Sequence, residues 1–215
     1  DEETPTIVIG ANEEALEQAG DVISNASCTT NSIAAVMAIM ELEFGIEKAM
    51  LTTVHSYTAT QVLQDGPSKD LREARAAAQN LVPTTTGAAK AVALTVPSLK
   101  NKFDGLSVRV PTSVVSLSDV TMVLKKDTTK EEINEVFKKH VKEPYFQGII
   151  AVSEEPLVSS DYIGNSHSGT IDALLTNVVD GNLAKVVVWY DNEWGYSNRL
   201  VEMVADVGKT LASKE

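Results

Sequence analysis

At 215 residues and a formal net charge of −12, the chain is long enough for one large hydrophobic core. No basic stretch counters that charge, which argues against nucleic-acid or membrane-surface binding and means that local donors must hold any anionic ligand against the average field. A single cysteine excludes an internal disulfide and suits a reducing compartment; with no signal peptide and no apolar run of membrane length, the expected location is the cytoplasm.

The charged start, Asp1 to Thr4, leads into Ile7-Val8-Ile9, bounded by Pro5 and Gly10, which predicts a short buried strand. Glu13 to Ala19 predicts a polar helical turn or loop. After the short apolar run Asp21-Val22-Ile23 comes Asn25-Ala26-Ser27-Cys28-Thr29-Thr30-Asn31. A helical pattern follows, with Ile33, Val36, Met37, Met40 and Phe44 on one face, and stops at Gly45. Cys28 is thereby expected at a strand-to-helix turn, beside unpaired helix N–H groups whose partial positive charge favours a thiolate. Those groups, with the hydroxyls of Ser27, Thr29 and Thr30, suit an oxyanion or a phosphate. A buried cysteine followed by helix-capping threonines would produce the same pattern. The crowding of small hydroxyl and amide side chains, poor core material, favours a site.

Ala49 to Val54 predicts a strand, with His55 just past its end. Of the three histidines, His55 is best placed to serve a thiol nucleophile as its base. His140 sits in a Lys-rich helical run, Glu131 to Lys142, and reads as a solvated residue, while His167 lies in a polar loop. Residues 56–71 predict a long loop turning at Asp65-Gly66-Pro67-Ser68, of a length that usually carries function or an interface. Arg72 to Gln79 predicts a helical stretch whose Arg72, Glu73 and Arg75 pair with one another at the surface. Thr84-Thr85-Thr86-Gly87 then opens a helical run from Ala88 to Val96. This hydroxyl-rich N-terminus serves as a cap, as an anion site, or as both.

Beyond it the pattern turns to β. Leu106 to Val110 carries Arg109 between two valines, so the side chain either snorkels to solvent or faces an anion or carboxylate. Val114 to Leu124 alternates well, and a helix is expected over 129–142. Ile149 to Val152, Leu157-Val158 and Ile171 to Leu174 predict short strands. Asp180-Gly181-Asn182 predicts a hairpin turn before the strand Ala184 to Trp189. The closing helix, Trp194 to Lys214, has an apolar stripe at Leu200, Val201, Val204, Val207 and Leu211. The chain has no G-x-G-x-x-G, Gly164 to Thr170 lacks the lysine of a P-loop, and no cluster has metal-ligand spacing. Helices separated by adjacent strands, without regular βαβ alternation, predict an α+β fold: a largely antiparallel mixed sheet with helices packed on one face.

Taken together, Ser24 to Asn31, His55 to Thr58, Thr86 to Lys90, Val108 to Thr112 and Trp189 to Tyr196 resemble phosphorylating glyceraldehyde-3-phosphate dehydrogenase, in order and at family-like spacing. The resemblance is to the catalytic part of that family. It implies one catalytic, substrate-binding domain over 1–215, with 1–27 and 200–215 similar to pieces that flank it and the N-terminal nucleotide-binding domain missing. By similarity, Cys28 attacks the aldehyde with His55 as base, and inorganic phosphate attacks the resulting thioester. Thr58, Thr60 and Arg109 would hold the substrate phosphate, and Ser27, Thr29, Thr86 and Gly87 the attacking one. Asn192 would bind the nicotinamide carboxamide, with Tyr196 near the ring.

The implied cofactor is NAD or NADP, held mostly by a domain outside this chain. The implied partners are glyceraldehyde 3-phosphate, inorganic phosphate, and either a homotetramer formed through loop 56–81 or a separate Rossmann-domain chain. Two positions depart from or vary within the pattern. Ser32 stands where many family members carry a second cysteine, and the position of Thr60 alternates between Thr and Asp. The competing expectations are a cofactor-free cysteine acyl-transfer or esterase activity, a non-catalytic interaction fragment, and the related erythrose-4-phosphate dehydrogenase.

Overall fold

Along Ile46–Ser56 (β1) the residues Ala49, Leu51, Thr53 and His55 are buried while Lys48, Met50, Thr52 and Val54 are exposed, the two-residue period of a strand covered on one face only. The computed structural model describes residues 4–20 and 22–212 and places β1 near the middle of an eight-stranded sheet. The other strands are Val82–Thr85 (β2), Phe103–Val110 (β3), Ser116–Leu124 (β4), Ile150–Ser153 (β5), Gly169–Asp172 (β6), Asn177–Val179 (β7) and Leu183–Tyr190 (β8). Their order is β2-β3-β1-β4-β8-β6-β5, with β7 also paired to β8. The β1/β3 and β5/β6 pairs are parallel and the others antiparallel, so the sheet is mixed and largely antiparallel, as expected.

The helices are Cys28–Glu43 (α1), Ala88–Thr95 (α2), Lys130–His140 (α3) and Trp194–Ala212 (α4). α1 lies on the sheet against β1, β4, β5, β6 and β8, α2 packs on α1 and β3, and α3 and α4 pack on α1. The opposite face of the sheet is open, exposing Met50, Leu106 and Leu183. α1 is therefore enclosed rather than amphipathic: Thr29 to Met37, Ile39 and Met40 are all buried, and the one-faced stripe expected from sequence understates it. Gly169 permits its close approach, because a Cβ there would lie 2.6 Å from both Ser32 O and Val188 Cγ1.

The hairpin at Asp180-Gly181 forms as expected, with φ of 50° and 78° at its two left-handed positions and Val179 paired to Leu183. Other expectations fail for identifiable reasons. Ile7, Val8 and Ile9 are buried, but the chain there makes only an isolated Thr6–Ser24 bridge rather than a ladder. Of the run containing Val22 and Ile23, Asp21 lies outside the described residues, as do Asp1 to Glu3 and Ser213 to Glu215. Leu157-Val158 has no strand to pair with and leads into a 3-10 turn, Ser159–Tyr162.

Arg72 to Ala76 forms turns, with helical structure limited to the 3-10 turn Ala77–Gln79. Asp65 organises that loop by accepting from Ala76 N and Arg75 Nε, and Glu73 accepts from Thr84 Oγ1, so the three charges do not pair among themselves. His140 is buried, not solvated. It shares the inward stripe of α3 with Ile133 and Phe137, and its Nε2 lies 2.8 Å from Glu43 Oε1. The flanking lysines obscured that stripe. On α4 the apolar residues Leu200, Val201, Val204 and Leu211 are exposed, and Met203 carries that helix into the core.

Candidate active site

The turn into α1 is fixed by its own side chains. Ser27 caps the helix by accepting from Thr30 N at 3.1 Å, and its carbonyl accepts from Asn31 N. The buried Asn31 amide reaches back to Asn25 O at 2.8 Å and Ser27 O at 3.0 Å. Between those clamps Ala26 sits at φ 57°, a left-handed conformation that a non-glycine residue rarely adopts. The result is a half-buried Cys28 at the first position of the helix.

His55 lies inside β1 rather than past its end, on the helix-covered face, and its Nε2 is 3.6 Å from Cys28 Sγ. Its Nδ1 lies 2.8 Å from the Ser56 carbonyl, which can only accept. Nδ1 therefore carries the proton, and the Nε2 lone pair faces the thiol. Burial and the Arg109 charge push the imidazole down to about 4, so it is neutral at physiological pH.

The thiol departs from the sequence expectation. Burial raises the Cys28 pKa, and the Thr29 N–H, the Thr29 hydroxyl and Arg109 only partly offset it. The pair therefore rests as thiol and neutral imidazole. Tyr190, fully buried, holds Thr29 Oγ1 at 2.9 Å and stands edge-on to the His55 ring, and burial raises its phenol too.

Cys28 and His55 open into a cavity of about 450 Å³ lined also by Ser27, Thr29, Thr30, Thr58, Thr85, Thr86, Gly87, Ser107 and Arg109. β3 places Arg109 beside His55 in register, and its buried Nε has no partner. Of the two alternatives for this arginine, facing a site prevails over snorkelling. The N-terminus of α2 points its small residues into the same space. Thr86 Oγ1 accepts from Ala88 N, Gly87 adds no side-chain cap, and the Ala89 and Lys90 N–H groups have no protein partner among the described residues. The cavity thus joins a nucleophile, a base and cationic and N–H donors, a set suited to covalent chemistry on an anionic substrate.

Thr60 does not line the cavity, and reaches it only through Thr58, Oγ1 to Oγ1 at 3.0 Å. Asn192 and Tyr196 stand to one side. Asn192 Oδ1 accepts from Ser56 and Ser116, both at 3.0 Å, leaving its Nδ2 without a protein partner, and Tyr196 donates to Ala26 O at 3.3 Å. Sequence reasoning named Thr85 only within the hydroxyl-rich start of α2 and missed Ser107 as a lining residue. Ser107 was detectable, since it lies two residues before Arg109 and a strand puts such residues on one face.

Comparison with known proteins follows the same outline. The family model described as "Glyceraldehyde 3-phosphate dehydrogenase, C-terminal domain" matches residues 27–192. The glyceraldehyde-3-phosphate dehydrogenase of Mycobacterium avium is 52% identical over 210 residues, covering 98% of this chain and 61% of the relative. Glyceraldehyde-3-phosphate dehydrogenase 1 of Bacillus subtilis (strain 168) is 53% identical over 209 residues, covering 97% and 62%. Glyceraldehyde-3-phosphate dehydrogenase 2 of Streptomyces avermitilis is 49% identical over 211 residues, covering 98% and 63%. The chain thus spans about three fifths of the length of the curated relatives it matches.

Proposed function

Since the chain belongs to the glyceraldehyde-3-phosphate dehydrogenase family through its C-terminal domain, we propose that it carries the acyl-transfer half of a phosphorylating aldehyde oxidation, acting on glyceraldehyde 3-phosphate through Cys28. The observation that carries this reading is the Cys28–His55 pair, 3.6 Å apart, opening into a cavity with Arg109 and the α2 N-terminus.

As Cys28 Sγ bonds to the aldehyde carbon, its proton passes to His55 Nε2 and from there to the aldehyde oxygen, giving a hemithioacetal. NAD or NADP, with its carboxamide at Asn192 and its ring beside Tyr196, would supply the hydride acceptor for that carbon. His55 then takes back the hydroxyl proton as the thioester forms. A phosphate oxygen attacks the thioester, the C–S bond breaks, and the proton on His55 returns to sulfur. The resting imidazole is kept neutral by burial, which leaves its Nε2 lone pair free although it weakens the base.

In this reading Arg109 and Thr58, backed by Thr60, hold the substrate phosphate. Ser27, Thr29, Thr86 and Gly87 hold the attacking one. The unengaged Asn192 Nδ2 fits a carboxamide oxygen, with Tyr196 beside it. The rest of the dinucleotide is held by residues outside these 215. Self-association fits the exposed Met50, Leu106 and Leu183 on the open sheet face and Leu63 and Leu71 on the long loop. No described helix is long and apolar enough to cross a membrane, in keeping with work in the cytoplasm.

The test is intact-mass spectrometry of the chain, supplied with the nucleotide-binding part of a relative, NAD and glyceraldehyde 3-phosphate. Without phosphate a thioester adduct should build up on Cys28, and inorganic phosphate should discharge it with release of an acyl phosphate. No adduct, or an adduct indifferent to phosphate, overturns the reading.

A further inference from the structure

β3 presents two adjacent same-face side chains to the cavity, Ser107 and Arg109, and only the second has so far been given a task. Ser107 is 3% exposed, lines the cavity, and its Oγ has no hydrogen-bond partner. Its in-register neighbour on β1 is Thr53, 1% exposed, whose hydroxyl is equally unpartnered. In the next register row, Arg109 lies beside His55, with its Nε buried and unpartnered. The floor of the cavity thus holds two unmet polar groups, the Ser107 hydroxyl and a guanidinium N–H, and the Thr53 hydroxyl beside Ser107, outside the cavity lining, is a third.

A buried hydroxyl without a partner is unfavourable, so such groups normally serve a ligand or ordered water. The groups facing this floor across the cavity are Gly87, Ala88 and Ala91 of α2, whose first turn leaves the Ala89 and Lys90 N–H groups unpaired. Donors above and donors below define a space for an oxyanion with acceptors on several sides, as a tetrahedral dianion has.

We propose that Ser107 is a ligand of the attacking phosphate at the α2 N-terminus, its hydroxyl donating from the floor of the cavity. Thr53 accompanies it, offering Oγ1 as the acceptor or donor that orients the Ser107 hydroxyl once the anion is in place. The inference rests on the reading of this cavity as a phosphate site. It adds a ligand on the strand side to those on the helix side.

The experiment measures how inorganic phosphate protects Cys28 of the 215-residue chain from iodoacetamide, giving an apparent dissociation constant for wild type, Ser107→Ala, Ser107→Thr and Thr86→Ala. Losing a hydrogen bond to a charged ligand should weaken phosphate about tenfold in Ser107→Ala. Ser107→Thr, which keeps a hydroxyl, should recover most of that loss. The phosphate-free Tm of Ser107→Ala should stay level or rise, because the variant removes an unpaired buried group, whereas phosphate should raise it less than it raises wild type.

Unchanged phosphate protection in Ser107→Ala, with protection weakened in Thr86→Ala, overturns the role of Ser107 and leaves the phosphate site standing. A phosphate-free Tm that falls in Ser107→Ala with protection unchanged makes Ser107 structural and also overturns it. No protection of the wild type at any phosphate concentration overturns the phosphate reading itself, and this inference with it.

Discussion

The two helix N-termini that meet at the cavity are built on opposite plans. That of α1 has its backbone donors engaged: Ser27 caps Thr30, Asn31 clamps the preceding turn, and the Thr29 N–H is directed to Cys28 sulfur. That of α2 is lightly capped, with small residues and unpaired N–H groups next to Arg109. The same local motif, hydroxyls before a helix, thus does two jobs. At α1 the donors are consumed in fixing the nucleophile, and burial outweighs the helix field, so the thiol stays protonated until His55 takes its proton. At α2 the donors remain available to an incoming anion. The hydrogen bonds made by each cap, rather than the motif, decide which role each end plays.

The largest consequence belongs to the nucleophile's side. His55 has its folded pKa pushed down to about 4 from 6.5. Protons then bind the unfolded chain more readily, so this contribution to stability is complete above pH 6.5 and is lost as pH falls towards 4. The expected loss is about 3 kcal/mol. Urea unfolding of wild type and His55→Asn between pH 4 and 7.5 checks it: the variant should lose stability less steeply on acidification. Parallel pH slopes would mean that the imidazole is not held neutral by its surroundings.

Next is the ligand side. Arg109→Leu should weaken binding of phosphorylated substrate by roughly 2 kcal/mol, about thirtyfold, as a charge-assisted contact is lost. Unphosphorylated glyceraldehyde should be affected far less. Competition binding with the two aldehydes distinguishes them, and equal losses would make Arg109 structural.

The smallest effects separate the two N-termini directly. Ser27→Ala should destabilise the fold by about 1 kcal/mol as a cap is lost. Thr86→Ala should change folding stability by less than about 0.5 kcal/mol while weakening phosphate protection of Cys28. Thermal unfolding beside phosphate titration reads both. A reversed pattern, with Thr86 the structural cap and Ser27 the dispensable one, would break the distinction.

Sequence reading succeeded where chemistry is local. The Asp180-Gly181 hairpin, the cysteine at a helix start, the α+β class and the hydroxyl-rich entry to α2 all depend on residues within a few positions of one another. It failed where the deciding partner is distant. Whether Cys28 is acidified depends on how much protein covers it, and the helix field alone gave the wrong sign. His140 looked solvated because Lys138 and Lys139 flank it, although its three- and seven-residue spacing from Phe137 and Ile133 already put it on the inward stripe. Leu157-Val158 has strand composition but no neighbouring strand. Ser107 is an ordinary serine in sequence and matters only because β1 and α2 close over it.

The central claim is that Cys28 acts from a protonated resting state with His55 as its base, and the rate of Cys28 alkylation by iodoacetamide as a function of pH tests it most directly. The wild type should show a rise near pH 4 as the imidazole loses its proton, a plateau through neutrality, and a second rise above the ordinary thiol range. His55→Asn should lack the plateau and keep only the alkaline rise. Superimposable profiles with a single rise in both proteins would contradict the account.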